Sequence, residues 1–249
     1  MLLKNCQETQ WEKYKKMCCE IYTGMNSVTK ISKLETINSQ IASQEIEAGR
    51  KKGSVNLIAV SKTKSMDQIK PVIDEGHSHF GENKVQEAFL KWQELKKENK
   101  VINLHLLGPL QSNKVKKVFG LFDYIHSLDR NSLAEKISDE AQKKGFCPKI
   151  FIQVNTGLEQ QKAGIEPEKL NEFMNTIQKF MDLNIIGLMC IPPINEAPET
   201  HFRLLKKLAD ENGLLELSMG MSSDYMAAIN CGATFVRVGT AIFGLRQYG

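Results

Sequence analysis

The sequence lacks the patterns that would place the protein in a membrane or on an export route. Its 249 residues contain no run near the ~18 consecutive apolar residues that a membrane-spanning helix needs. The first 20 residues mix charged and apolar side chains and contain no hydrophobic core of a signal peptide. We therefore expect a cytoplasmic protein.

Motifs for metal binding and for several kinds of catalysis are also missing. The six cysteines form no CxxC pair and the five histidines form no HExxH motif, so we expect reduced thiols and no metal site. No GxSxG, GxGxxG, GxxxxGKS or GxxxxGKT segment occurs, which argues against hydrolase, dinucleotide-binding and P-loop classes. The formal charge of +4, from 33 basic and 29 acidic residues, is too small to indicate nucleic-acid binding.

Repeated strand-then-helix units fill most of the chain. Eight short segments have the composition of buried parallel strands, and segments of helical periodicity lie between them. The predicted strands are residues 57–62, 78–81, 103–107, 124–127, 150–155, 185–189, 216–219 and 235–239. Eight such units in about 250 residues predict an α/β protein with one TIM (β/α)8 barrel, and a doubly wound open sheet is the alternative.

The amino-terminal segment differs from the rest of the chain. Residues 1–28 contain little Val or Ile and no clear helix start, so we expect an extra, poorly ordered leader, with Met25 as the alternative first residue. The barrel domain is then residues 29–249. Apolar residues recur every three or four positions over residues 31–48, which predicts a helix that covers the outside or the bottom of the barrel.

The segment LIAVSKTK, residues 57–64, ends a predicted buried strand at Lys62. Ligands of α/β barrels bind at the carboxyl ends of the strands. A lysine held against apolar surroundings has its charged form disfavoured, which leaves an amine suited to Schiff-base chemistry. The alternative is that Lys62 extends from the strand end into solvent.

The seventh and eighth predicted strands end in small and polar residues. The segments LSMGMSS (217–223) and FVRVGTAIFG (235–244) supply glycines and hydroxyls of the kind that bind phosphate in barrels, with Gly220, Ser222, Ser223, Gly239 and Thr240 as candidates. The alternative is ordinary strand-to-helix turn chemistry, with Ser222 or Ser223 as a helix cap.

Arg237 shares a strand face with Phe235 that we expect to point inward. A buried arginine needs an acceptor, either a carboxylate in a structural ion pair or a ligand atom at the pocket floor, and the sequence alone favours the pair. An arginine facing a pyridine nitrogen would keep that nitrogen unprotonated and disfavour transamination.

Other polar positions have structural interpretations. In GENKVQE (81–87), Asn83 is predicted to cap a helix, and GPLQSNK (108–114) is predicted to be a turn. Lys162 follows the fifth strand and is interpreted as a surface charge.

The segments LIAVSKTK, GENKVQE, HLLGPLQSNK, QVNTG, GLMCIPP, LSMGMSSDYMAAI and GATFVRVGTAIFG together resemble the YggS/PROSC family of pyridoxal phosphate homeostasis proteins. The resemblance runs from about residue 31 to residue 248. It implies the barrel of the alanine racemase amino-terminal domain (fold type III), with pyridoxal 5′-phosphate (PLP) bound as an aldimine.

The cofactor-binding residues that the resemblance implies are Lys62, Asn83, Met219, Ser222, Arg237, Gly239 and Thr240. In these, Lys62 forms the aldimine, Ser222, Gly239 and Thr240 hold the phosphate, and Arg237 approaches the pyridine nitrogen. The sequence departs from the family at Lys84, where Tyr is frequent, and at Met226, where an acidic residue is common.

The resemblance also implies a protein that buffers or delivers PLP in vitamin B6 homeostasis rather than an enzyme. A racemase needs an acid/base group on each face of the cofactor ring, and in alanine racemase relatives an additional β domain supplies the second. We expect no such domain, because the sequence ends ten residues after Gly239.

One alternative function is a minimal fold-type III enzyme acting on amino acids, with Tyr225, Tyr248 or a partner subunit as the second acid/base group. Another is a barrel that uses a phosphorylated metabolite without a Schiff base. The expected partners are PLP and PLP-dependent apoenzymes as recipients, with no nucleic acid and no membrane, and the expected state is a monomer.

Overall fold

Eight parallel strands close into a barrel in the computed structural model, which describes residues 31–98, 101–180 and 182–244. The strands are β1 (Asn56–Val60), β2 (His79–Glu82), β3 (Asn103–Leu106), β4 (Tyr124–Leu128), β5 (Lys149–Gln153), β6 (Asn184–Met189), β7 (Glu216–Met221) and β8 (Phe235–Val238). Each strand pairs with the next along the chain, and β8 pairs with β1. The predicted TIM barrel is confirmed, and both ends of every strand lie within two residues of the predicted positions. The alternative of an open sheet is wrong, because the sheet closes.

Helices cover the outside of the barrel. They are α1 (Lys33–Glu47), α2 (Met66–Asp74), α3 (Val85–Lys97), α4 (Val115–Val118), α5 (Asn131–Lys144), α6 (Leu170–Ile177), α7 (Pro198–Glu211), α8 (Tyr225–Asn230) and α9 (Thr240–Phe243). Short 3-10 turns at Ser112–Lys114 and Pro167–Lys169 lead into α4 and α6. None of the helices in the described ranges is long and apolar enough to cross a membrane.

Local sequence explains where the first helix begins and how it packs. The Ser32 hydroxyl accepts a hydrogen bond from the Glu35 amide (3.0 Å) and so caps α1. Leu34, Ile37 and Ile41 lie on one face of α1 and are buried. The helix predicted over residues 31–48 is therefore confirmed, whereas the predicted leader, residues 1–28, lies outside the described residues.

The core has two layers that the strands separate. The large outer layer fills the space between the strands and the helices with aliphatic and aromatic side chains. The small inner layer lies inside the barrel. Its apolar members are Ile58, Tyr124, Phe151, Met189 and Phe235, and its polar members are His79, His105, His126, Ser218 and Arg237. Because side chains alternate along a strand, each strand contributes to both layers.

Candidate functional site

A cavity of about 390 Å³ opens at the carboxyl ends of the strands. Segments that follow β1, β2, β7 and β8 supply much of its lining. Six of the seven residues predicted to bind a cofactor line this cavity, namely Lys62, Asn83, Ser222, Arg237, Gly239 and Thr240. The volume lies in the range of pockets for small ligands and cofactors.

Lys62 lies two residues beyond the end of β1, where the chain turns toward α2. The next residue, Thr63, has a φ of 63°, a left-handed conformation that is unusual for a β-branched residue. Lys64 also lines the cavity, and its amine donates to the carbonyls of Phe243 and Gly244 at 3.2 Å each. Two lysines of one short segment therefore belong to this site.

The loops after β7 and β8 are joined by Ser222. Its hydroxyl accepts hydrogen bonds from the Gly239 amide and from the Thr240 hydroxyl, both at 3.3 Å. A Cβ at Gly239 would lie 3.2 Å from the Val60 carbonyl of the neighbouring strand, so a glycine lets this loop pack closely against β1. The interpretation of Ser222 or Ser223 as a helix cap is wrong, because the residue before α8 is Asp224.

Arg237 forms part of the cavity wall at the inner face of β8 and is 5% exposed. Its guanidinium donates to the Ser218 hydroxyl (2.7 Å) and to the Cys190 carbonyl (2.9 Å). Burial lowers the pKa of this guanidinium, and the negative charge of Asp224 opposes that effect. No carboxylate of the described residues lies within ion-pair distance, so the favoured structural ion pair is wrong and two neutral acceptors take its place.

A column of histidines connects Arg237 to the amino-terminal end of the barrel. The ring nitrogens of His79 and His105 are 2.9 Å apart, as are those of His105 and His126. His126 then contacts the Ser218 hydroxyl at 2.9 Å, and Ser218 accepts from Arg237. We call His79, His105, His126 and Ser218 the histidine column. Each nitrogen-to-nitrogen contact requires one protonated and one unprotonated nitrogen, so neutral imidazoles satisfy the column.

Burial keeps these imidazoles neutral. It lowers the pKa of His105 and of His126 well below the ordinary value, and neighbouring histidines or the Arg237 charge add to the effect. The pKa of His79 is lowered mainly by burial as well. Sequence reasoning missed this column, although a signal was present, because three consecutive predicted strands each contain a histidine.

Two predicted site residues differ from their expected roles. Met219 does not line the cavity. It is fully buried in the outer layer, because Ser218 points inward and the next side chain along β7 points outward. Asn83 does not cap a helix, because α3 begins after Lys84, and it lines the cavity instead. Gly108 allows this arrangement, since a side chain there would collide with the Asn83 backbone.

Three further residues lie outside the cavity lining. Lys84 is exposed and precedes α3, and Met226 packs against the outer layer. Lys162 pairs with Glu159 and donates to the Pro192 carbonyl at 3.1 Å, so it bridges two loops rather than extending freely into solvent.

Comparison with known proteins agrees with this geometry. Residues 37–247 match the family model described as the alanine racemase, N-terminal domain. The pyridoxal phosphate homeostasis protein of Aquifex aeolicus is 39% identical over 234 residues, which cover 90% of this chain and 100% of the relative. That of Vibrio cholerae is 40% identical over 225 residues, which cover 86% of this chain and 95% of the relative. The chain belongs to the YggS/PROSC family of pyridoxal phosphate homeostasis proteins.

Solved structures of this family share the fold. PipY of Synechococcus elongatus PCC7942 without PLP has a TM-score of 0.74 and 39% identity, covering 82% of this chain and 100% of that chain. PipY with PLP bound has a TM-score of 0.70 and 37% identity over the same shares. Alanine racemase of Clostridium difficile 630 is only 14% identical, with a TM-score of 0.63 over 57% of its chain, and shows likeness of fold alone. The predicted resemblance of this YggS/PROSC family member is thus confirmed.

Proposed function

We propose that this protein binds PLP in the cavity, forms a Schiff base through Lys62, and buffers or delivers PLP in the cell without catalytic turnover. The observation that carries the proposal is the meeting of Lys62, Ser222, Gly239, Thr240 and Arg237 around one cavity of suitable size. Family membership and the PLP-bound structure of PipY support the choice of ligand.

The residues of the cavity fit the three chemical parts of PLP. The Ser222 and Thr240 hydroxyls and the backbone amide of Gly239 suit the phosphate, which backbone amides and hydroxyls bind well. Arg237 is a permanent donor and suits an unprotonated ring nitrogen. Lys62 supplies the amine that condenses with the aldehyde, and Asn83 lies on the wall. When bound, PLP would supply a reactive aldehyde and a conjugated ring.

The choice of ionisable groups supports a carrier. Among the described residues that line the cavity, the ionisable side chains are Lys62, Lys64 and Arg237, with no carboxylate, imidazole, phenol or thiol. A racemase would need a second acid/base group opposite Lys62. Tyr225, one candidate for that group, does not line the cavity and donates instead to Gln40 Oε1 at 2.7 Å. Tyr248, the other, lies outside the described residues.

The first test is covalent trapping of PLP. We expect the wild-type protein to develop the absorbance band of a Schiff base, and borohydride followed by peptide mass mapping to find the reduced cofactor on Lys62. The Lys62→Ala variant should lose the band, whereas the Lys162→Ala control, outside the cavity lining, should keep it. A label on another lysine, or a band that survives in Lys62→Ala, would contradict the proposal.

A second test separates carrier from enzyme. The protein loaded with PLP should racemise or decarboxylate amino acids no faster than free PLP does. It should transfer PLP to a PLP-dependent apoenzyme at a rate that depends on the apoenzyme concentration. Turnover of an amino acid well above that of free PLP would instead establish the minimal fold-type III enzyme.

We further propose that the PLP-binding domain is residues 29–249, that residues 1–28 are an additional leader, and that the protein acts in the cytoplasm as a monomer. A variant without residues 1–28 should bind PLP as the full chain does. Sedimentation equilibrium of the full chain, with and without PLP, should give the mass of one chain.

A further inference from the structure

Helix α3 lies outside the barrel and contacts the segment that contains Lys62. The Lys91 amine, whose side chain is 11% exposed, donates to the Ser61 carbonyl at 2.9 Å, on one side of Lys62. It also pairs with Glu87 at 2.8 Å, one helical turn earlier. Lys91 therefore lies between α3 and the loop that follows β1.

On the other side of Lys62, Glu87 fixes the unusual conformation of Thr63. The Thr63 amide donates to Glu87 Oε1 at 2.5 Å. A β-branched residue at a φ of 63° is conformationally unfavourable and persists only where its surroundings hold it. The Glu87 carboxylate provides such a hold, and Lys91 in turn orients that carboxylate.

A buried carboxylate anchors the inner end of this network. Glu82, at the end of β2, is fully buried, and its Oε1 accepts from the Ser61 hydroxyl (2.7 Å) and from the Trp92 indole (3.0 Å). The same oxygen lies 2.7 Å from the Lys91 amine. Because a buried carboxylate needs a cation, Lys91 cannot move away from the segment without leaving that charge unpaired.

These contacts reach the residues before and after Lys62 without occupying the cavity. We propose that Lys91 and Glu87 are positioning residues that fix the direction in which the Lys62 amine enters the cavity. Condensation of an amine with an aldehyde depends steeply on the approach of the two atoms, so a small shift of the segment slows the reaction. This inference rests on the proposed function, because it assigns Lys62 the Schiff base.

The test compares two ligands in the full-length protein. PLP can form the Schiff base, whereas pyridoxine 5′-phosphate has the ring and the phosphate but no aldehyde. The variants are Lys91→Met, which removes the donor, and Glu87→Ala, which removes the acceptor for Thr63. Glu87→Gln retains an acceptor oxygen, and Lys97→Met on the same helix, in an exposed pair with Glu94, is the matched control.

We expect Lys91→Met and Glu87→Ala to slow Schiff-base formation at least about tenfold while changing the affinity for pyridoxine 5′-phosphate less than about twofold. Glu87→Gln should recover most of the rate, and Lys97→Met should match the wild type. Should Lys91→Met fail to fold because Glu82 is left unpaired, Glu87→Ala decides, since Glu87 is partly exposed.

Equal losses for both ligands would overturn the inference, because they would indicate a damaged cavity rather than a misplaced amine. Unchanged rates in Lys91→Met and Glu87→Ala would overturn it as well. If the wild type itself bound pyridoxine 5′-phosphate but formed no Schiff base, the proposed role of Lys62 would fail first, and the positioning role with it.

Discussion

The two layers of the barrel core differ in chemistry although the same strands build both. The outer layer is apolar, and its fully buried members include Trp92, Leu133 and Phe202. The inner layer combines apolar side chains with the histidine column and Arg237. The comparison teaches that the outer layer supplies most of the apolar burial that stabilises the fold, while the inner layer orients one group at the cavity.

The inner layer is held together by contacts that depend on one another. The His105 ring stacks on Tyr124, with centroids 4.1 Å apart, and the His126 ring stacks on Phe151, with centroids 4.3 Å apart. The imidazoles also bond to each other, so that removing one member leaves the next without a partner. The outer layer, by contrast, consists of many packing contacts that are individually weak and collectively large.

The largest expected effect lies in the outer layer. Leu133 on α5 is fully buried, and Leu133→Ala should lower the free energy of unfolding by about 2–5 kcal/mol, because the deletion leaves a cavity. Urea denaturation gives this value. Leu90→Ala, at a residue that is 86% exposed, is the control and should change stability by less than about 0.5 kcal/mol. A loss below about 1 kcal/mol in Leu133→Ala would show that the outer layer is loosely packed.

The buried histidines of the inner layer should make the free energy of unfolding depend on pH in acid. The pKa values of His105 and His126 are lowered in the folded state, so below pH ~6.5 the unfolded state binds more protons than the folded state. The free energy of unfolding should therefore fall as the pH decreases below ~6.5, by up to about 1.4 kcal/mol per pH unit for each imidazole. Above pH 7 these groups should contribute no slope.

Urea denaturation at several pH values between 5 and 8 measures this slope. The variant His126→Phe removes one imidazole and should reduce the acid slope by about one proton. His77, whose pKa burial lowers to about 4, contributes in the same direction and remains in the variant as an internal reference. An unchanged slope in His126→Phe would mean that His126 is not held neutral in the folded protein.

The smallest expected effect is the difference in stability between alanine variants of two buried serines. Ser218→Ala removes a partner from both Arg237 and His126 and should cost about 1–3 kcal/mol, since buried polar groups lose a hydrogen bond. Ser127 on β4 is fully buried, but its hydroxyl has no hydrogen-bond partner among the described residues, so Ser127→Ala should be neutral or slightly stabilising. Equal losses in the two variants would remove the distinction between a bonded and an unbonded serine.

The outer layer was predictable because its pattern is local. Short apolar segments and helical periodicity each depend on neighbours in sequence, and they located all eight strands and the helix over residues 33–47. The cluster of Lys62, Ser222, Gly239 and Thr240 was predictable too, since strand ends of a barrel meet at one edge.

The inner layer was not predictable from local pattern. The histidine column joins His126 to Ser218, which are 92 positions apart, and the contact depends on the stagger of the strands rather than on composition. The partners of Arg237 were mispredicted because they too depend on the stagger of the strands. They are a hydroxyl and a carbonyl, and not the expected carboxylate. Met219 was misplaced because the inward position of β7 belongs to Ser218.

The pairing of β1 with β8 has a consequence for synthesis of the chain. The cavity lies across this junction, with Lys62 on the β1 side and Arg237 and Gly239 on the β8 side. A growing chain still lacking β8 contains Lys62 and the Ser222 loop but neither Arg237 nor the loop with Gly239 and Thr240. The proposed cofactor can therefore be captured only after the ribosome has released the last strand and the barrel has closed. Binding of PLP would then stabilise completed chains relative to partly folded ones by mass action. Bound PLP would therefore indicate that a chain has folded completely.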